Sequence, residues 1–149
     1  MTIRRALPQD VPAMHDLIQE LATYERAPNE FVLSVEQLHD DGFSGQPSYI
    51  AWVAVHEGEV IGMSLCYEKY STWKGRSLYL EDLIVTESKR GLGAGKLLFD
   101  ESLEFAKRYK YGRFEWQVLD WNQSAIDFYK RNGAELHGDW INCRITKLE

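Results

Sequence analysis

The chain has 149 residues, enough for one domain around one buried core. It is 44% hydrophobic and 27% charged, a globular composition that excludes a disordered or low-complexity protein. Seventeen Lys and Arg residues against 23 Asp and Glu give a net charge of −6, which argues against nonspecific nucleic-acid binding and suits a cationic small substrate.

The stretch "TIRRA" reads as a first strand. From Pro8 a helix follows, with Val11, Met14, Leu17, Ile18 and Leu21 at helical spacing. Ser34 with Gln37 predicts a capping box for a second, shorter helix ending near "DDG". "YIAWVAV" and "VIGMSLCYEKY" flank "HEGE", a hairpin with Gly58 in the turn. "SLYLEDLIV" is a further strand, and an amphipathic helix carries Leu97, Leu98, Leu103, Phe105 and Ala106. "RFEWQVL" is predicted as a strand. Asn122 caps a helix over "QSAIDFYKRN", which Gly133 closes. The tail "ELHGDWINCRITKL" suggests one or two final strands. The sum is a mixed α/β sheet covered by helices, expected as one domain over 1–149.

No segment reads as a secretory signal or approaches the roughly 18 apolar residues of a membrane span. The expectation is therefore a cytoplasmic protein with no membrane or nucleic-acid partner. Cys66 and Cys143 fit neither a zinc spacing nor a disulfide framework. The four histidines are scattered, and no metal is expected.

The stretch "KRGLGAGKLL", Lys89 to Leu98, places three glycines at alternate positions before a helix. A nucleotide-hydrolysing P-loop is excluded, because Arg90 stands where its first glycine belongs and Leu97 replaces the hydroxyl that would hold Mg²⁺. A dinucleotide G-x-G-x-x-G fails as well, since Lys96 or Leu98 would have to be glycine. What survives is R-x-x-G-x-G: Arg90, Gly93 and Gly95. Glycines let the backbone approach a ligand and aim successive N–H groups at it, and the following helix directs its positive end to the same point. Such a loop suits a pyrophosphate held without metal.

The strand "YLEDLIV", the loop "RGLGAG" with its helix, and "WNQSAIDFYKRNGA" together resemble the GNAT superfamily of N-acetyltransferases over essentially the whole chain. "ELATYE", "DGF", "WKGRSLYLED" and "VLDWNQSAIDFYKRNGA" resemble its diamine acetyltransferases, and "WKGR" with "VLDWNQ" leans toward the thialysine branch. The resemblance implies a mostly antiparallel twisted sheet flanked by helices, acetyl-CoA as co-substrate, a small primary amine as acceptor, and a homodimer. It implies that Arg90, Gly91, Leu92, Gly93, Ala94, Gly95 and Lys96 hold the CoA pyrophosphate. Leu83, Ile84 and Val85 would pair with the pantetheine arm, and Asn122, Gln123, Ser124 and Ala125 would line its other side.

Tyr129 lies two helical turns beyond Asn122. The resemblance makes it the acid that protonates the leaving sulfur, and otherwise it is a core aromatic. In a regular strand Glu81 and Asp82 face opposite ways. The resemblance turns Glu81 to the amine, relaying its proton through water, and leaves Asp82 structural. Tyr24 and Glu25 are substrate candidates, with Glu25 facing a distal cation. Glu115, Trp116 and Gln117 are weaker candidates for the acceptor wall. Trp73 and Tyr79 serve either as a cation–π surface or as packing. Ser71-Thr72 stand where the polyamine enzymes carry an acid and a proline, and Asp139 alone is left of a C-terminal acidic cluster. Both departures favour a short diamine or a lysine-like amino acid over spermine. The rival readings are a protein N-acetyltransferase and a noncatalytic acyl-CoA sensor.

Overall fold

The computed structural model describes residues 1–149. Five strands form one sheet in chain order: β1 (Thr2–Arg5), β2 (Ile50–His56), β3 (Glu59–Ser71), β4 (Gly75–Val85) and β5 (Arg113–Glu115). All neighbours run antiparallel except β4 and β5, which are parallel. The helices are α1 (Val11–Tyr24), α2 (Val35–Phe43), α3 (Ala94–Arg108) and α4 (Gln123–Arg131), with single 3₁₀ turns at Pro8–Asp10, Pro28–Glu30 and Glu87–Lys89. No helix is long and apolar enough to cross a membrane.

The chain divides into two compact units, Met1–Gln117 and Val118–Glu149. The whole sheet lies in the first. One of its faces packs on α1 and α2 through Val11, Met14, Leu17, Leu38, Val53, Met63, Leu65 and Ile84. Complete burial of such aliphatic side chains is worth about 1.5–3 kcal/mol each. The other face meets α3, where Trp52 packs edge-on against Phe105 and Phe99 against Phe114. Buried Ser102 donates to Ser64 Oγ at 3.0 Å, so neither hydroxyl is left unpaired in the core.

Local chemistry sets the ends of the elements. Arg4 donates through both terminal nitrogens to the two oxygens of Asp10, at 2.7 and 3.0 Å, and ties β1 to the start of α1. The Arg4 hydrogen bond holds buried Asp10 below the usual carboxylate range. Ser34 caps α2 by accepting from Gln37 N at 3.0 Å. The reciprocal half of the box is not formed, and the Gln37 amide nitrogen donates to Asp41. The β2–β3 turn puts both Glu57 and Gly58 at positive φ, which is the tight hairpin geometry. Gly62 on β3 admits no larger residue, since a Cβ there would stand 2.8 Å from the Ile84 carbonyl oxygen.

In the second unit, α4 ends in a full Schellman motif. Ala134 N–H donates to the Tyr129 carbonyl and Gly133 N–H to that of Lys130, with Gly133 at φ 90°. Two strand expectations are corrected. The strand over "RFEWQVL" keeps only Arg113–Glu115, and residues 132–149 form no strand. A β-segment is stable only in a ladder, and neither stretch finds one. Within this unit Trp140, Ile141, Ile145 and Leu148 are exposed.

Candidate active site

The glycine loop is built by its backbone. Gly91 and Gly93 sit at φ 87° and 85°, a region that costs other residues roughly 1–2 kcal/mol. A Cβ at either would meet nothing within 4 Å, so the space before the loop is open. Gly93 is the N-cap of α3 and offers no side-chain cap. The first helical bond is Leu97 N–H to the Gly93 carbonyl, and the N–H groups of Ala94, Gly95 and Lys96 precede that ladder. A row of open donors at a helix start fits a pyrophosphate.

The three glycines differ, against expectation. Gly95 has no left-handed φ, and a Cβ there would touch only Val85 Cγ2 at 3.8 Å. Lys96 turns away from the loop to pair with Asp100 one helical turn on, at 2.5 Å. Arg90 donates from Nε to the Val85 carbonyl at 3.2 Å and lies 5.4 Å above the Tyr24 ring. Tyr24 is therefore a shelf for the loop's guanidinium. Ile84 belongs to the core, while Leu83 and Val85 are half-buried. The β4–β5 ladder ends at Tyr79 and Glu115, so the edge of β4 over Leu80–Val85 lies beyond the pairing with β5. That edge is where the pantetheine arm was expected.

The acceptor candidates gather at an irregularity in β4. Leu65 pairs with Asp82 but Cys66 pairs with Leu80, which makes Glu81 the extra residue of a β-bulge. The regular alternation expected for Glu81 and Asp82 is broken there. Asp82 takes the face of its register partner Leu65, the face covered by α1, and Glu25 stands at the C-terminal end of that helix. Burial first, then the charges of Glu81 and Glu25, pushes Asp82 up to about 7. Burial and then Glu81 raise Glu25 as well. Tyr67 and Tyr79 pack at 5.1 Å between ring centres and complete the same face. Tyr79 is pushed up to about 12 by burial, then by Glu81, Tyr67 and Glu115.

Sequence reasoning set Asp82 aside as structural; the bulge that brings it among the acids leaves no mark in the residue pattern. Lys69 and Arg113 were missed as well. Lys69 Nζ stands 2.7 Å from Glu115 Oε1, and Arg113 Nη1 donates to Oε2 at 3.1 Å. Burial alone would raise Glu115, but Lys69 and then Arg113 outweigh it and lower its pKa. Lys69 also lies 5.2 Å over the Tyr79 ring, so the cation expected at Tyr79 comes from the protein. Trp116 packs on Phe99 and Phe114, with α3, on the face opposite Glu115, and Gln117 is exposed. Trp73 is 77% exposed and belongs to neither a core nor a cation–π pair. Ser71 makes the β3–β4 turn, accepting from Trp73 and Lys74 N–H at 3.1 and 3.0 Å.

In the second unit Asn122 accepts from Ala125 N at 3.4 Å and caps α4, with Ser124 Oγ also 3.4 Å away. Gln123 donates to Asp127. Tyr129 is half-buried beside Phe128, at 5.5 Å between ring centres. A surface depression lined by Pro8, Val11, Pro12, Val35 and His39, among others, involves none of these residues.

An open antiparallel sheet whose fourth and fifth strands part beside a glycine turn and helix start is the framework of a CoA-dependent acyltransferase. Residues 11–134 match the model of the Acetyltransferase (GNAT) family, and the chain belongs to that family as an acetyl-CoA-dependent N-acetyltransferase. A thialysine N-epsilon-acetyltransferase of Bos taurus is 39% identical over 141 residues, covering 89% of this chain and 83% of that protein. An L-ornithine N5-acetyltransferase of Arabidopsis thaliana is 27% identical, covering 97% and 83%. An aminoglycoside acetyltransferase from an uncultured soil metagenomic sample shares the fold, with a TM-score of 0.79 at 20% identity over 98% of this chain and 95% of that one.

Proposed function

We propose that the protein acetylates a small primary amine by direct attack, and that a lysine-like amino acid or a short diamine is preferred to spermine. The observation that carries this is the β4 bulge, which sets Glu81 and Asp82 together with Glu25 on the α1 face. Two relatives support the acceptor class, since the named substrates thialysine and L-ornithine are both amino acids ending in an amine.

A free alkylamine has a pKa of about 10.4 and is a cation at neutral pH. Three carboxyl groups attract that cation, and one of them must help remove its proton. Glu81 relays it through water, and Asp82, at about 7, has the affinity best matched to holding it at neutral pH. Bound acetyl-CoA supplies the thioester carbonyl that the amine attacks. The N–H row from Gly91 to Lys96 with Arg90 would hold its pyrophosphate, and the β4 edge at Leu83, Ile84 and Val85 its pantetheine arm. Asn122, whose side chain caps α4, Gln123, Ser124 and Ala125 are the proposed cofactor contacts on the other side. Tyr129 is the proposed acid for the departing sulfur. We also propose that residues 1–149 act as one domain, in a cytoplasmic homodimer. The family match supports the former by running through both units; resemblance alone supports the dimer.

The test is release of free CoA from acetyl-CoA against a panel of diamines, polyamines, lysine analogues and short peptides. Short diamines and lysine analogues are expected to lead, with Tyr129→Phe slowing kcat by roughly 10²–10⁴-fold. Release that ignores the amine, or a fully active Tyr129→Phe protein, contradicts the proposal.

A further inference from the structure

The acceptor face has two electrical ends. On β3, Leu65, Tyr67 and Lys69 alternate onto the α1 face, opposite Asp82, Tyr79 and Ser77 of β4. On β5, Glu115 pairs with Tyr79 and Arg113 with Ser77. One end therefore carries Glu25, Glu81 and Asp82, the middle carries the Tyr67 and Tyr79 rings, and the far end carries Lys69 and Arg113 around Glu115. Two cations against one carboxylate leave that far end net positive.

From this layout we infer that Lys69, held by Glu115, reads the α-carboxylate of an amino-acid acceptor whose terminal amine docks at the Glu81–Asp82 bulge. The inference rests on the acetyltransferase reading above and goes further by fixing the acceptor as a zwitterion. Lys69 leans back over Tyr79, so its Nζ stands near the Tyr67–Tyr79 row. That row is two β3 residues from the Leu65–Asp82 row, or about 7 Å at a strand rise of ~3.3 Å per residue. Such a span matches the reach of a lysine-like side chain from its amine to its carboxylate. The tyrosine rings that flank the Lys69 ammonium give the adjoining methylene or thioether spacer an apolar bed. A diamine of the same length would bring a second ammonium to Lys69, and like charges repel there. The Lys69 side chain is 48% exposed, so an incoming carboxylate reaches its ammonium without displacing the core.

Matched acceptors isolate the carboxylate. Lysine and cadaverine (1,5-diaminopentane) differ only by that group, as do ornithine and putrescine. The wild-type chain is expected to show the higher kcat/KM for the amino acid of each pair. Lys69→Met should reduce the lysine-to-cadaverine ratio of kcat/KM at least about tenfold, mainly through KM for lysine, a change typical of losing one charge-assisted contact. Lys69→Arg should retain most of the ratio. Lysine amide should resemble cadaverine with the wild-type enzyme. A structural role for Lys69 would lower both acceptors in parallel, and an unchanged ratio with active protein overturns this inference alone. Acetylation of no amine in either pair overturns it together with the function it rests on.

Discussion

At the scale of single residues, Asp82 carries the sharpest consequence. Its folded pKa of about 7 lies above the unfolded value near 3.9. A carboxyl group raised in this way contributes its full stability below the unfolded pKa and loses it as pH rises through about 7. At about 1.4 kcal/mol per pKa unit the loss amounts to a few kcal/mol at most. Asp82→Asn should therefore melt above the wild type at pH 9, with the gap closing toward pH 4. Wild-type kcat/KM is expected to rise near pH 7, and that rise should be missing in the variant. A melting-temperature difference independent of pH would mean that Asp82 is not the titrating group. Asp10 has the opposite sign: Arg4 lowers it, so its contribution is present above the unfolded pKa and is lost as the solution is acidified.

At the scale of elements, the legible features are those set by local chemistry. The Gly58 hairpin, the Asn122 cap and the Gly133 stop all depend on neighbours within a few residues and stand as read, while the Ser34 box forms by half. The β4 bulge depends on register with β3, which no local pattern encodes, and so Asp82 was set aside as structural. Lys96 was read as a phosphate ligand on its position after the loop, yet Asp100 at i+4 competes for it. The glycine loop yields a clean test because its members differ. Gly93→Val must strain a φ of 85° and lowers stability whatever it binds. Gly95→Val keeps a helical backbone with room for its Cβ, so it should fold and bind CoA about tenfold more weakly or worse by calorimetry, a loss of ~1.4 kcal/mol. Unchanged CoA affinity in folded Gly95→Val would remove that turn from the cofactor site.

At the scale of the whole molecule, the order of strands and helices up to β5 was readable because each buries an apolar face with its own period. Beyond Glu115 only α4 was, because "WQVL" and "INCRITKL" have strand composition without a ladder partner. Function followed the same division. The proposed CoA loop is a contiguous motif, so it could be read from the residues. The proposed acceptor site draws on α1, β3, β4 and β5, so only its acids could be proposed from sequence. The central claim is that this acceptor site takes a small free amine. It is tested most directly by competition in one vessel, with acetyl-CoA, thialysine and a lysine-containing peptide at equal concentration and both products followed by mass spectrometry. The account predicts acetylated thialysine with the peptide essentially unmodified. Acetylation mainly of the peptide would contradict it and identify a protein acetyltransferase.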